Sequence, residues 1–133
     1  MALNAYLVED NPAIREGLAE ALAELAGIRT CGHATRAAQA LAWLADPAHH
    51  WDIAIVDLVL EDGGSGLAVL QALAGRPSGR KVVVLTATAN PSVREQCLAL
   101  GCDDVFDKAM DTEALLEWCV RVAEESEPPA PGR

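Results

Sequence analysis

At 133 residues the chain has material for one domain with one sizeable core and too little for a second of ordinary size. Its 10 Lys and Arg against 20 Asp and Glu give a formal net charge of -10, which argues against nucleic acid or an anionic membrane as a direct partner and favours protein partners. Although 51% of the residues are hydrophobic, no apolar run approaches the roughly 18 needed to cross a bilayer and no basic segment precedes an apolar one at the N-terminus, so a soluble, cytoplasmic protein is expected.

From Asn4 to about Glu124 short apolar runs alternate with longer segments of helical period, the pattern of five successive βα units and a parallel sheet. A first strand, Ala5 to Val8, runs into Asp10-Asn11-Pro12, where Asn11 can cap a helix and Pro12 suits its first turn. Ile14, Leu18, Leu22 and Leu25 mark one face of that helix, and Gly27 ends it. Ile28 to Ala34 reads as a weaker strand, suited to a sheet edge because it carries Arg29, Gly32 and His33.

Thr35 is expected to cap a second helix that Pro47 stops, and Ile53 to Val56 is a third strand ending at Asp57. Ser65 to Ala74 reads as a third helix and Lys81 to Leu85 as a fourth strand; Asn90-Pro91 then repeats the cap-and-proline start. Val93, Cys97 and Leu100 face inward on the helix that follows, and Gly101 closes it. A short strand, Asp104 to Asp107, and a helix with Leu115, Cys119 and Val122 on one side complete a three-layer α/β/α sandwich over residues 1–125. Residues 126–133, polar and proline-rich, are expected to be a disordered tail without an output domain.

Cys31, Cys97, Cys102 and Cys119 lack zinc-site spacing and are read as reduced thiols, mostly in the core. His33, His49 and His50 fall away from the strand ends and are assigned no role, while Trp43, Trp51 and Trp118 occur singly and are ascribed to packing or partner contact.

Ligands of such folds bind beyond the carboxyl ends of the strands. Strand one ends in Glu9-Asp10, strand three in Asp57, strand four in Thr86 and strand five in Asp107-Lys108. Two carboxylates about 5 Å apart repel by roughly 3 kcal/mol at an effective dielectric near 20, so such a cluster calls for a cation. Mg2+ suits a partly open acidic site that leaves room for a phosphate oxygen, and Asp57 is then placed to attack phosphorus and form an aspartyl phosphate. The plainer alternative makes Glu9-Asp10 a solvated helix-capping loop and Lys108 half of a surface ion pair worth about 0–1 kcal/mol.

Leu7-Val8-Glu9-Asp10-Asn11, Ile55-Val56-Asp57-Leu58, Leu85-Thr86-Ala87 and Phe106-Asp107-Lys108 together resemble the response-regulator receiver family over roughly residues 4–124. The resemblance implies a flavodoxin-like sheet of order 2-1-3-4-5. It also implies direct Mg2+ ligation by Asp10, Asp57 and the Val59 backbone carbonyl, with Glu9 acting mainly through water. Thr86 and Lys108 would bind phosphoryl oxygens, and Ala87 would leave room for the donor. Implied partners are a sensor histidine kinase or phosphotransfer protein and a downstream target on the face of helix 4, strand 5 and helix 5, to which Glu113, Glu117 and Trp118 contribute, with a second copy in a homodimer as a further option.

The resulting function is that of a single-domain response regulator, a stoichiometric phosphoacceptor switch rather than an enzyme. One alternative is a phosphorylation-independent binding module of the same fold; another, an aspartyl-phosphate hydrolase, lacks its usual second aspartate because Val59 stands two residues after Asp57. The chain departs from the family at Ala109, where a cis proline is usual, and at Val105, often an aromatic that turns inward. Val59 and Thr88, which carry no charge to orient an attacking water, lead us to expect slow self-dephosphorylation.

Overall fold

Period-two alternation along the strands divides the apolar side chains between two faces of one sheet. In the computed structural model, which describes residues 3–61 and 64–126, Ala5, Leu7, Ile53, Ile55, Val83, Leu85 and Phe106 share one buried cluster. Tyr6, Val8, Ala54, Val56, Val82, Val84 and Val105 share the other. The strands are β1 (Asn4–Val8), β2 (Arg29–Ala34), β3 (Ile53–Val56), β4 (Lys81–Thr86) and β5 (Asp104–Asp107). All pairings are parallel, in the order β2-β1-β3-β4-β5, so the expected three-layer architecture and strand order are observed.

Helices α1 (Pro12–Ala21), α2 (Ala37–Ala45), α3 (Gly66–Leu73), α4 (Pro91–Ala99) and α5 (Thr112–Ser126) cover the two faces. Leu18 from the first and Leu22 just after it, with Leu115 and Cys119 from the last, close one cluster, and Val69, Leu70, Leu73 and Cys97 close the other. The four cysteines are free, three of them buried, as their apolar positions implied.

The Asn-Pro starts behave as read: Asn11 Oδ1 accepts from the Ile14 amide at 3.1 Å and Asn90 Oδ1 from the Val93 amide at 2.9 Å. Thr35 does not cap α2. The capping position is Arg36, without a side-chain bond, because the Thr35 hydroxyl is drawn to Glu61 Oε1 at 3.0 Å and its amide to Gln39 Oε1 at 3.0 Å. Ser65 precedes α3 as its cap, its hydroxyl accepting from the Leu67 amide at 3.0 Å. Ser126 belongs to α5 rather than to a tail, and the rest of the expected tail lies outside the described residues.

After Ala21 the helix widens into a π turn, Leu22–Ala26, closed by Gly27 at a φ of 65°. The wider turn breaks the expected inward face: Leu22 is buried, but Leu25 is 60% exposed. Within α1 a Cβ built on Gly17 meets nothing within 4 Å. Gly17→Ala is therefore expected to stabilise the fold by about 0.5–1 kcal/mol through helix propensity, and an unchanged or lowered urea midpoint would contradict it.

Candidate functional site

The parallel ladder continues past the strand ends and carries the functional residues with it. The amides of Glu9, Asp57 and Lys108 donate to the carbonyls of Ala34 at 3.0 Å, Val8 at 2.9 Å and Thr86 at 3.1 Å. Side chains that are far apart in sequence thereby gather at one sheet edge, where ligand-capable oxygens of Glu9, Asp10 and Asp57 lie within 4.8 Å of one another.

Glu9 and Asp57 are 4% and 5% exposed. Their shared cation is Lys108, whose Nζ donates to Glu9 Oε1 at 2.7 Å and to Asp57 Oδ2 at 2.7 Å. The remaining carboxylate oxygens are also held: Glu9 Oε2 accepts from the Asn11 amide at 3.0 Å and Asp57 Oδ1 from the Val59 amide at 3.3 Å. Burial raises the Glu9 carboxyl above its ordinary range, against the lowering effect of its bonds from Lys108 and the Asn11 amide. Burial alone would lower Lys108, but its hydrogen bonds to Asp57 and Glu9 outweigh that and raise it.

With one ammonium among three carboxylates the cluster stays electronegative, and its hard oxygen donors match a divalent cation such as Mg2+ in kind. Asp10 supplies the most accessible of the three carboxylates. Val59, expected to offer its carbonyl, lies two residues past Asp57 and is bridged to Ser65.

Thr86 is buried at the end of β4, with Oγ1 3.1 Å from the Thr88 hydroxyl. Ala87 is exposed beside it. The Lys108 loop is built by Asp107 and Asp111. Asp107 Oδ1 accepts from the Ala109 amide at 2.7 Å and the Met110 amide at 3.2 Å, and Asp111 Oδ2 accepts from the Asp107 amide at 3.0 Å. Lys108–Ala109 is trans, since no cis bond occurs among the described residues. Val105 and Phe106 are both buried, and Phe106 packs against Trp118 with ring centroids 6.5 Å apart.

Three supports of the site escaped the sequence reading. Gly66 begins α3 so close to the loop after β3 that a Cβ there would lie 2.1 Å from the Asp57 carbonyl oxygen. Arg15 Nη1 donates to the Glu9 carbonyl at 3.1 Å. Glu61 also takes Arg36 Nε at 3.2 Å, tying the β3–α3 loop to the β2–α2 loop. A glycine at the first turn of an apolar helix was the one visible signal for Gly66. None of the histidines enters the site; His49, in the loop after α2, stacks on Trp43 at 4.2 Å, and Trp43 on Tyr6 at 4.0 Å.

Residues 5–119 match the family model described as response regulator receiver domain. The chain is 36% identical over 77 residues to the acid tolerance regulatory protein ActR of Rhizobium meliloti (strain 1021), covering 57% of this chain and 39% of that one. It is 28% identical over 111 residues to the transcriptional regulatory protein MalR of Bacillus subtilis (strain 168), covering 84% of this chain and 46% of that one. The chain thus spans less than half the length of these curated relatives. Among solved structures it resembles the signal receiver domain of the DNA-binding response regulator merR from Colwellia psychrerythraea 34H, with a TM-score of 0.79 at 18% identity, covering 92% and 98% of the two chains. It also resembles a Burkholderia pseudomallei response regulator crystallised with a phosphorylated aspartic acid, calcium ion and citrate, with a TM-score of 0.75 at 27% identity, covering 92% and 69%.

Proposed function

Because the chain belongs to the response regulator receiver domain family, we propose that it is a stoichiometric switch whose Asp57 accepts a phosphoryl group from a sensor histidine kinase or phosphotransfer protein in the cytoplasm. The observation that carries this reading is the buried Asp57 carboxylate, held by Lys108 at 2.7 Å beside two further carboxylates. The phosphorylated aspartic acid and divalent ion of the Burkholderia pseudomallei relative support the same chemistry.

An Asp57 oxygen attacks phosphorus, an O–P bond forms, and the bond from phosphorus to the donor's leaving atom breaks. Glu9, Asp10, Asp57 and the Val59 carbonyl would hold Mg2+, with Glu9 acting mainly through water. Bound there, the ion would neutralise charge on the transferring oxygens. Lys108 is expected to give up Asp57 Oδ2 and pair with a phosphoryl oxygen, and Thr86 to exchange the Thr88 hydroxyl for another.

That exchange would pull on the start of α4, which is clamped to β5 by Arg94: Nη1 donates to the Val105 carbonyl at 2.6 Å and Nη2 to Asp104 Oδ1 at 2.8 Å. A shift in the α4–β5–α5 face, biased by phosphorylation, is the proposed output to a protein target. With Val105 buried and aliphatic, no aromatic at that position turns with the switch. The charge of -10 supports a protein rather than a nucleic acid or membrane as the direct partner.

Intact mass after incubation with acetyl phosphate tests the reading. A gain of one phosphoryl group that needs Mg2+, disappears with chelator and is absent in Asp57→Asn is expected. No gain in the folded protein would favour a phosphorylation-independent binding module. Once formed, the aspartyl phosphate is expected to last minutes or longer with Mg2+ present, because neither the apolar Val59 nor the neutral Thr88 can activate water by charge. A half-life of seconds would refute this.

A further inference from the structure

The end of α4 is closed by a backbone device that sets two cysteines side by side. Gly101, at a φ of 94°, takes the left-handed position just past the helix. Its amide donates to the Leu98 carbonyl at 3.0 Å, and the next amide, that of Cys102, donates to the Cys97 carbonyl at 3.3 Å. These nested bonds make a Schellman motif, in which the residues at the two ends of the turn meet and frequently form an apolar contact. Here both of those residues are cysteines.

The two thiols are free and belong to the same core cluster, Cys97 at 0% exposure and Cys102 at 7%. They also sense each other: the Cys102 thiol is pushed up to about 12, first by burial and next by the neighbouring Cys97. Burial raises Cys97 as well, so reaction at neutral pH waits on opening of the last turn of α4. Little holds that turn, since Leu98 is 44% exposed and Cys97 is the one buried residue among the nine of α4. The other cysteines are placed elsewhere. Cys119 lies in the opposite cluster, and Cys31 sits on β2, the edge strand farthest from β5, with its thiol donated to the Ala5 carbonyl at 3.3 Å.

We propose that Cys97 and Cys102 are a redox-sensitive dithiol, which a low-molecular-weight disulfide such as oxidised glutathione converts to a bond that locks the end of α4 to the entry of β5. The Cys102 thiolate, the more exposed, attacks one sulfur of the reagent, releasing one thiol and leaving a mixed disulfide. The Cys97 thiolate then attacks the Cys102 sulfur, closing the intramolecular bond and expelling the second thiol. The cysteines lose two electrons and two protons, and the two released thiols carry them. Arg94 already ties α4 to β5 through the Val105 carbonyl and Asp104, and the bond adds a second tie at the other end of the helix. Its effect on output rests on the switch proposed above; its formation does not.

The full chain, freed of reductant, is incubated with oxidised glutathione and its intact mass measured. The expected result is the loss of two hydrogens, reversed by dithiothreitol. Chymotryptic fragments cut at Leu98 or Leu100 should stay joined through Cys97 and Cys102 until reduced. A variant carrying both Cys31→Ser and Cys119→Ala should keep the loss, whereas Cys97→Ala and Cys102→Ala should each abolish it. Oxidation should slow hydrogen exchange of the Leu100 and Gly101 amides by about tenfold or more. The proposal is overturned by an unchanged mass, by glutathione adducts without the loss, by a bond mapped to another pair, or by unaltered exchange in the oxidised chain. Failure of Asp57 to accept a phosphoryl group would leave all of these results as they are, so the two readings fail separately.

Discussion

Adding a single methyl group at position 66 is expected to lower stability by about 3 kcal/mol or more, a fall of about 10 °C in Tm for a chain of this size. Torsion is not the reason, since Gly66 is absent from the glycines with positive φ. Space is. The new Cβ would meet the Asp57 carbonyl oxygen at 2.1 Å and the Asp57 carbonyl carbon and Leu58 Cα at 2.9 Å, all backbone atoms that no rotamer change can move aside. Relief requires α3 to retreat from the loop that carries Asp57, breaking the Gly66 amide's bond to the Leu58 carbonyl at 3.0 Å. Gly66→Ala should therefore slow phosphorylation from acetyl phosphate as well as lower Tm, whereas Gly17→Ala should raise Tm. Equal Tm values for Gly66→Ala and the parent would show that the loop yields freely.

Lys108→Ala should have the second large effect, and its size should depend on the cation supplied. Without Mg2+, removing the ammonium strands two nearly buried carboxylates, an expected loss of about 2–3 kcal/mol at neutral pH. That falls below the roughly 3–5 typical of fully buried pairs because the Lys108 side chain keeps 18% exposure. Added Mg2+ should raise Tm more in the variant than in the parent, since the metal no longer competes with an ammonium for Glu9 and Asp57. Equal gains would mean that Lys108 and the ion do not share those oxygens. Phosphorylation itself should slow about a hundredfold, the scale for losing one charge-stabilising donor.

The pH dependence follows from linkage. Glu9, raised above its ordinary 4.5 first by burial, favours the fold while protonated, and that contribution is lost as pH rises from 4.5 through the raised value. Lys108, raised above 10.5, contributes fully below 10.5 and loses its contribution as pH climbs through its folded value. Deleting Lys108 removes the bond that lowers Glu9, so the metal-free variant should compare best with the parent in mild acid and worst at neutral pH. Urea midpoints across that range, measured with chelator, check the direction.

The succession of strands along the chain and the identity of the acidic residues were legible in the sequence because each depends on local pattern. Apolar runs of four residues in β1, β3 and β4 mark strands buried on both faces, and charged or hydroxyl residues immediately after such strands have no place to go but the carboxyl edge. Asn11-Pro12 and Asn90-Pro91 likewise declared their helices, since both cap and first turn are set within four residues.

What stayed hidden depends on partners distant in sequence. Thr35 offers a cap by local chemistry but loses its hydroxyl to Glu61, 26 residues away. Leu25 obeys the helical period, yet the π turn carries it to the surface. Gly66 looks like an ordinary small residue until Asp57 is folded against it. The sequence by itself determined the fold class, the strand order through its family pattern, and which carboxylates, hydroxyl and ammonium would meet at one edge, because periodicity and strand-end placement are short-range properties. Only the tertiary structure decided that Lys108 bridges Glu9 and Asp57 at 2.7 Å, that Thr86 is engaged by Thr88, and that Leu25 is turned out to the surface, because close packing between separate elements sets those contacts.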